Sequence, residues 1–258
     1  MNDIRIVTVD QTNVETQRFF CYKSKPKTEG YQRKLTWLKE RFSEGMRIQI
    51  LYDGKRSFAF IEYIPAEYAW RAVHAEGYML IHCIWVVGSG KHKGFATTLL
   101  AMCEADARQA GMHGVTMATS SRIWLVDKPI LLKNGYQVVD QAPPSFDLLV
   151  KKFNDAPNPS FPQDWAERAA RFGDGLTVLH SDQCPYIPHA VNNAQKYAQE
   201  SGIPIQTIDL QSAEEVRTTS PSPYGLFGII YNGRLLSYHY LQKVDFPKAI
   251  TELGNTNP

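Results

Sequence analysis

Residues Val86-Val87-Gly88-Ser89-Gly90-Lys91-His92-Lys93-Gly94-Phe95-Ala96-Thr97 combine small, cationic and apolar side chains in an order suited to holding a phosphate. An apolar run, Tyr78 to Val87, precedes the loop and reads as a buried strand. Thr97 to Ala110 follows it, with Leu99, Leu100, Cys103 and Ala107 at helical spacing. The first turn of a helix presents N–H groups without intrahelical acceptors and a partial positive charge. Gly94 and Ala96 leave room for an anion to approach that backbone, and Lys91, His92 and Lys93 add donors. The layout predicts a site for a phosphate-bearing cofactor. A strand-to-helix glycine turn that binds nothing is the plain alternative.

Lys91-His92-Lys93-Gly94-Phe95-Ala96 also resembles the pyrophosphate loop of the GNAT superfamily of N-acetyltransferases, Arg/Gln-x-x-Gly-x-Gly/Ala, with Lys91 in place of the usual Arg or Gln. Val86 falls where that family has a valine, and Gly88-Ser89-Gly90 replaces the commoner proline-containing lead-in. Leu132-Lys133-Asn134-Gly135-Tyr136 resembles the family's late helix-to-strand turn. The resemblance implies acetyl-CoA as co-substrate. It places Ile84 and Val86 beside the pantetheine arm and the phosphates on the backbone of Lys91, His92, Lys93, Gly94, Phe95, Ala96 and Thr97. It implies an α/β fold with a mixed, mostly antiparallel, splayed sheet and flanking helices.

An acyltransferase of this kind must take a proton from an amine whose pKa is about 10, so a carboxylate or histidine is needed near the acyl carbon. Glu62, in a predicted central strand, and His82, on the strand leading to the loop, are the candidate catalytic residues. Each has a bland alternative, a solvent-facing carboxylate or a hydrogen-bonded core histidine. Strand alternation predicts that His82 and Cys83 point to opposite faces. Glu67, Glu76 and His74 are weaker candidates on the loop between residues 65 and 77. Many family members carry a tyrosine as general acid four residues before the late glycine, but here that position is Leu131, which donates no proton. Tyr63, Tyr68, Trp70 and Tyr78 either line an acceptor cleft or simply cover the sheet.

The elements that must position these groups follow from periodicity and turn signals. Ile4 to Val9, Arg47 to Tyr52 and Arg56 to Ile64 read as strands, the last two joined at Asp53-Gly54. Val14 to Phe20 and Tyr31 to Glu44 read as helices, the second stopped by Gly45. Gly114 to Ala118, Tyr136 to Val139 and Phe146 to Lys152 complete the sheet, with a short helix at Lys128 to Asn134. The acetyltransferase domain is therefore expected over residues 1–152. A proline-rich stretch opens a linker at 153–173, and a small α/β domain covers 174–258. That second domain resembles the thioredoxin superfamily. Cys184-Pro185-Tyr186-Ile187 looks like a glutaredoxin motif lacking its second cysteine, and Pro223 lies roughly where that family has a cis-proline. The two-part order resembles the YoaP-type acetyltransferases, a bacterial group.

Cys184, at a helix N-terminus, is a candidate redox thiol. His180 and His189 flank it without a fourth ligand, so no metal is expected. A net charge of +2 from 28 basic and 26 acidic residues gives no reason to invoke nucleic acid. No apolar run reaches the roughly 20 residues of a membrane span. The start, Met1 to Arg5, lacks a signal-peptide shape, and four unpaired-looking cysteines suggest a reduced, cytoplasmic chain. The resulting expectation is an acyl-CoA-dependent N-acetyltransferase in which a small-molecule or peptide amine attacks directly in a ternary complex. A thiol-dependent redox or sensing protein built on Cys184 and a non-catalytic CoA-binding module are the alternatives. The second domain would then serve as a binding module or in a homodimer.

Overall fold

The computed structural model describes residues 4–121 and 125–255, so Met1 to Asp3 of the N-terminal reading lie outside it. The chain divides into two compact units: Met1–Pro26, Leu35–Ala69 and Val73–Phe161 form the first, and Lys27–Lys34, Trp70–Ala72 and Pro162–Pro258 the second.

Seven strands of the first unit, β1 (Ile4–Val9), β2 (Arg47–Asp53), β3 (Arg56–Pro65), β4 (Met79–Val86), β5 (Gly114–Ser120), β6 (Gln137–Ala142) and β7 (Phe146–Lys152), form one sheet in the order β1-β2-β3-β4-β5-β7-β6. Every neighbouring pair is antiparallel except β4 and β5. That parallel pair is short: Met79 aligns with Val115 and Leu80 with Thr116, and the ladder then ends. β4 continues to Val86 paired with β3 alone, so the sheet is open between β4 and β5 beyond Leu80. The same strand bulges. Glu62 aligns with Cys83 but Tyr63 with Ile81, which leaves His82 as the extra residue.

The helices are α1 (Val14–Gln17), α2 (Glu29–Ser43), α3 (Phe95–Gln109) and α4 (Lys128–Lys133). α1 stops three residues before the predicted end, and α3 starts two residues before the predicted start, directly after Gly94. α3 lies against β2, β3, β4 and β5 through buried Leu99, Leu100, Cys103 and Ala107, the periodic set read from the sequence. The stretch expected as a linker or surface excursion is tied down instead. His74 and Ser160 exchange backbone hydrogen bonds, Tyr78 Oη donates to the Pro157 carbonyl at 2.7 Å, and Phe161 is buried.

In the second unit β8 (Leu176–His180), β9 (Ile205–Asp209), β10 (Phe227–Tyr231) and β11 (Arg234–Ser237) form a sheet ordered β11-β10-β8-β9. β8 and β9 are parallel and the other pairs antiparallel. The helices are α5 (Trp165–Ala170), α6 (Ile187–Ser201), α7 (Ala213–Thr219) and α8 (Phe246–Asn255). α6 is the crossover from β8 to β9, and Gly202 ends it in the left-handed conformation. The cis bond expected at Pro223 is absent: the one cis peptide among the described residues is Pro143-Pro144.

One polar network ties the edge of the first sheet to α3. Tyr63, fully buried, donates its hydroxyl proton to Asp106 on α3 and accepts from Gln49 Nε2 at 3.2 Å. Gln49 Oε1 accepts from Thr8 at 2.8 Å, and Arg47 pairs with Asp106 at 3.0 Å. Burial, then the bond to Asp106, pushes the Tyr63 phenol far above its ordinary range, so it stays a donor. Tyr63→Phe removes a bond to a charged acceptor and leaves Gln49 short of a partner. Urea denaturation should show a loss of about 1–3 kcal/mol.

Candidate functional site

The loop between β4 and α3 is built to leave a helix end open. Gly88–Gly90 makes one tight 3-10 turn, and a side chain on Gly90 would press on Val86, Phe95 and Phe58 at 3.1–3.3 Å. Lys91, His92, Lys93 and Gly94 are all exposed, while Phe95 is buried beside Phe58, ring centroids 6.0 Å apart. Gly94 sits at φ +79° as the residue before the helix, and no side chain caps it. The first intrahelical bond runs from Thr98 N–H to Gly94 O at 3.0 Å, so the amides of Phe95, Ala96 and Thr97 precede the ladder. An ideal Cβ on Gly94 would meet nothing within 4 Å. The space beside Gly94 is therefore open, Lys93 Nζ lies over the Phe58 and Phe95 rings at 5.4 and 6.0 Å, and an uncapped helix start next to three exposed basic side chains suits a phosphate group.

Ile84 and Val86 reach this loop along β4. Their side chains share a face with Ile61 and Ala59, their cross-strand partners. Tyr63 follows on that face and bonds to α3, so Ile84 and Val86 point toward α3, and Ile84 is buried there. What these residues can offer a ligand lying in the β4–β5 opening is backbone. The four steps from His82 to Val86 span about 13 Å of strand.

Glu62 and His82 come together. Glu62 is 1% exposed and His82 0%, so the solvent-facing reading of the carboxylate is excluded. His82 Nδ1 lies 3.5 Å from Glu62 Oε1, and the His82 ring is 6.2 Å, centroid to centroid, from Trp37 on α2. The expectation that His82 and Cys83 point to opposite faces is overturned. Glu62 and Cys83 are directly paired and so share a face, and His82 reaches the same carboxylate. The bulge is the reason, because it inserts one residue and breaks the two-residue alternation. Glu62, His82 and Cys83 thus lie together on the face away from α3.

The remaining predicted residues are spread out. Glu67 Oε1 accepts from the Gly77 amide at 2.7 Å and closes its own loop, while His74 is engaged through its backbone with Ser160. Tyr63 faces α3, Tyr78 is buried, and of the four aromatics expected around an acceptor only Tyr68 is exposed. Leu131 is fully buried in α4. Tyr136 is core, and burial, with Cys103 and Glu104 nearby, holds its hydroxyl well above the usual phenol range. Two features escaped sequence reasoning. Trp85 on β4 is 39% exposed, and Thr119 on β5 buries a hydroxyl that makes no hydrogen bond among the described residues. Strand periodicity carries no signal for either, since both depend on where β5 leaves β4.

Cys184 lies between β8 and α6, half-buried, and its carbonyl accepts from Ile187 N–H at 3.1 Å. The buried Tyr240 hydroxyl is beside its thiol and beside Tyr224. His180, at the end of β8, is 3.5 Å from Asp209 through Nδ1, and Arg33 bonds to Asp182 at 2.6 Å and to Asp209 at 3.3 Å. Among the described residues no group of three or more His, Cys, Asp or Glu side chains is placed to hold a metal ion, and no helix is long and apolar enough to cross a membrane.

Burial, helped by Arg33 and opposed by Asp209 and Asp182, holds His180 below its ordinary value of 6.5. The unfolded chain then binds this proton more readily than the folded one. The associated stability is complete above about pH 6.5 and is lost as pH falls toward the lowered folded value. Urea midpoints should therefore drop between pH 7.5 and pH 5.5 by more in the wild type than in His180→Gln.

The family model for the acetyltransferase (GNAT) family matches residues 12–122. The uncharacterized N-acetyltransferase YoaP of Bacillus subtilis (strain 168) is 30% identical over 252 residues, which cover 96% of this chain and 99% of that protein. Among solved structures, the PaiA N-acetyltransferase of Thermoplasma acidophilum in complex with coenzyme A is 17% identical. It matches 58% of this chain and 99% of its own at a TM-score of 0.40. A GNAT-family acetyltransferase of Staphylococcus aureus Mu50 is 10% identical, matching 58% of this chain and 99% of its own at 0.44. With a family model on the part that holds the loop and a relative matched along nearly the whole chain, this protein belongs to the GNAT acetyltransferase family.

Proposed function

We propose that this chain transfers the acetyl group of acetyl-CoA to an amine by direct attack within a ternary complex. The observation that carries the reading is the opening between β4 and β5, which runs from the Glu62–His82 pair to the uncapped helix end at Gly94. The first-turn amides of α3 and the side chains of Lys91, His92 and Lys93 hold the phosphates. The β4 backbone beside Ile84 and Val86, outside any ladder with β5, bonds the pantetheine arm.

When bound, acetyl-CoA supplies an electrophilic acyl carbon and a thiolate leaving group. His82 takes a proton from the incoming ammonium, directly or through water, and the Glu62 carboxylate balances the charge that the imidazole gains. The freed amine nitrogen forms the new C–N bond as the C–S bond breaks, and its second proton leaves to solvent. Leu131 removes the family's usual proton donor, and the chemistry tolerates the loss. A thiol with a pKa of about 8.5 leaves as a weakly basic thiolate and is reprotonated from water near neutral pH. The second unit, with its β11-β10-β8-β9 order and Cys184 before α6, reads as a thioredoxin-like accessory domain that plays no part in these steps.

Gly94→Val tests the cofactor site. It forces a β-branched residue to φ +79° and fills the open space beside this position. Calorimetry should show CoA affinity reduced by at least about tenfold, or 1.4 kcal/mol. Unchanged affinity would remove the loop from the site.

Glu62→Gln tests the proton path. Thiol release from acetyl-CoA in the presence of amine should fall by about 10²–10⁴ in kcat, with CoA binding kept. In the same assay Cys184→Ser should turn over like the wild type, whereas loss of activity there would favour the thiol-dependent reading.

A further inference from the structure

An acetyltransferase reading alone leaves the acceptor's chemistry open. Resting on that reading, we infer that the acceptor is an amine bearing a planar apolar group on a short link, an arylalkylamine, and that Trp85 is the residue that selects it. β4 is an interior strand, and most of it is buried, yet Trp85 is 39% exposed. Trp85 pairs directly with Phe60, so the two share a face. Phe60 is buried and stacks on Phe20, with centroids 4.7 Å apart and planes at 22°. The exposed indole thus borders a stacked aromatic pair. Phe60 is covered, so the indole is the accessible part of this aromatic surface, and one more flat ring can be laid on it.

The face is the one that carries the proton-accepting pair. Phe60 and Glu62 are two apart on β3, and Cys83 and Trp85 are their partners on β4. Glu62 and His82 therefore lie one side-chain repeat from the aromatic platform, about 7 Å along the strands. That separation fits a nitrogen joined to a ring by two or three carbons. Glu62 is also the only carboxylate among the buried described residues, so the buried part of the site offers one negative charge for one ammonium. A polyamine would bring further positive charges to an apolar surface and meet no second buried carboxylate there.

The test uses the full chain with acetyl-CoA and follows thiol release with tryptamine, phenethylamine, cadaverine, spermidine and a short unblocked peptide. The two arylalkylamines should have the highest kcat/KM, by about tenfold or more. In Trp85→Ala the ratio of kcat/KM for phenethylamine to that for cadaverine should fall about tenfold, through KM, and Trp85→Phe should restore most of it. Thermal melts and CoA binding of each variant check that the fold is kept. An aliphatic amine or the peptide equalling the arylalkylamines, or a Trp85→Ala effect equal on both classes, overturns this inference and leaves the transferase reading standing. No thiol release with any amine overturns the transferase reading and this inference with it.

Discussion

The structure turns on the early end of one ladder. β4 and β5 lie parallel for two residue pairs and then separate, although both continue for several more residues. A parting in the middle of a sheet takes backbone N–H and C=O groups out of the ladder, and buried groups of that kind need partners. The rest of the first unit is arranged around that demand. β3 holds β4 along its length, β7 holds β5, and α3 packs across the strands with its open end toward the far end of β4. A long ligand with a phosphate at one end and hydrogen-bonding groups along its arm matches such a parting.

The bulge at His82 belongs to the same constraint. β4 must stay in register with β3 while turning away from β5, and one inserted residue gives local twist without giving up the β3 ladder. The insertion also brings a histidine and a carboxylate into contact distance on one face. On the other face Tyr63 binds β3 to α3 through Asp106, so adjacent residues of one strand serve opposite purposes. Glu62 faces His82, while Tyr63 ties the same strand to α3.

The second unit repeats none of this. Its parallel pair β8–β9 is complete over five residue pairs and is joined by α6 in the ordinary crossover manner. Its cysteine and histidine sit at the β8-to-α6 turn, where Cys184 has the Tyr240 hydroxyl as a neighbour and His180 has Asp209. The Bacillus subtilis relative is matched along both parts of the chain.

Local signals made most elements readable. Asp53-Gly54 and Asn232-Gly233 mark hairpins that the structure contains, and Gly135 and Gly202 end helices at positive φ because they lack a Cβ. The Lys91–Ala96 stretch was legible as a strand-to-helix turn for the same reason, because the small residues that shape it are neighbours in sequence. By itself, then, the sequence determined the strand–loop–helix unit, the α/β elements and the absence of a tyrosine at Leu131. Only the tertiary structure decided that Glu62 faces His82, that Cys83 shares their side, and that Trp85 stays uncovered. Each of those depends on strand register, on one bulged residue and on where β5 departs, and these are set by packing between segments distant in sequence.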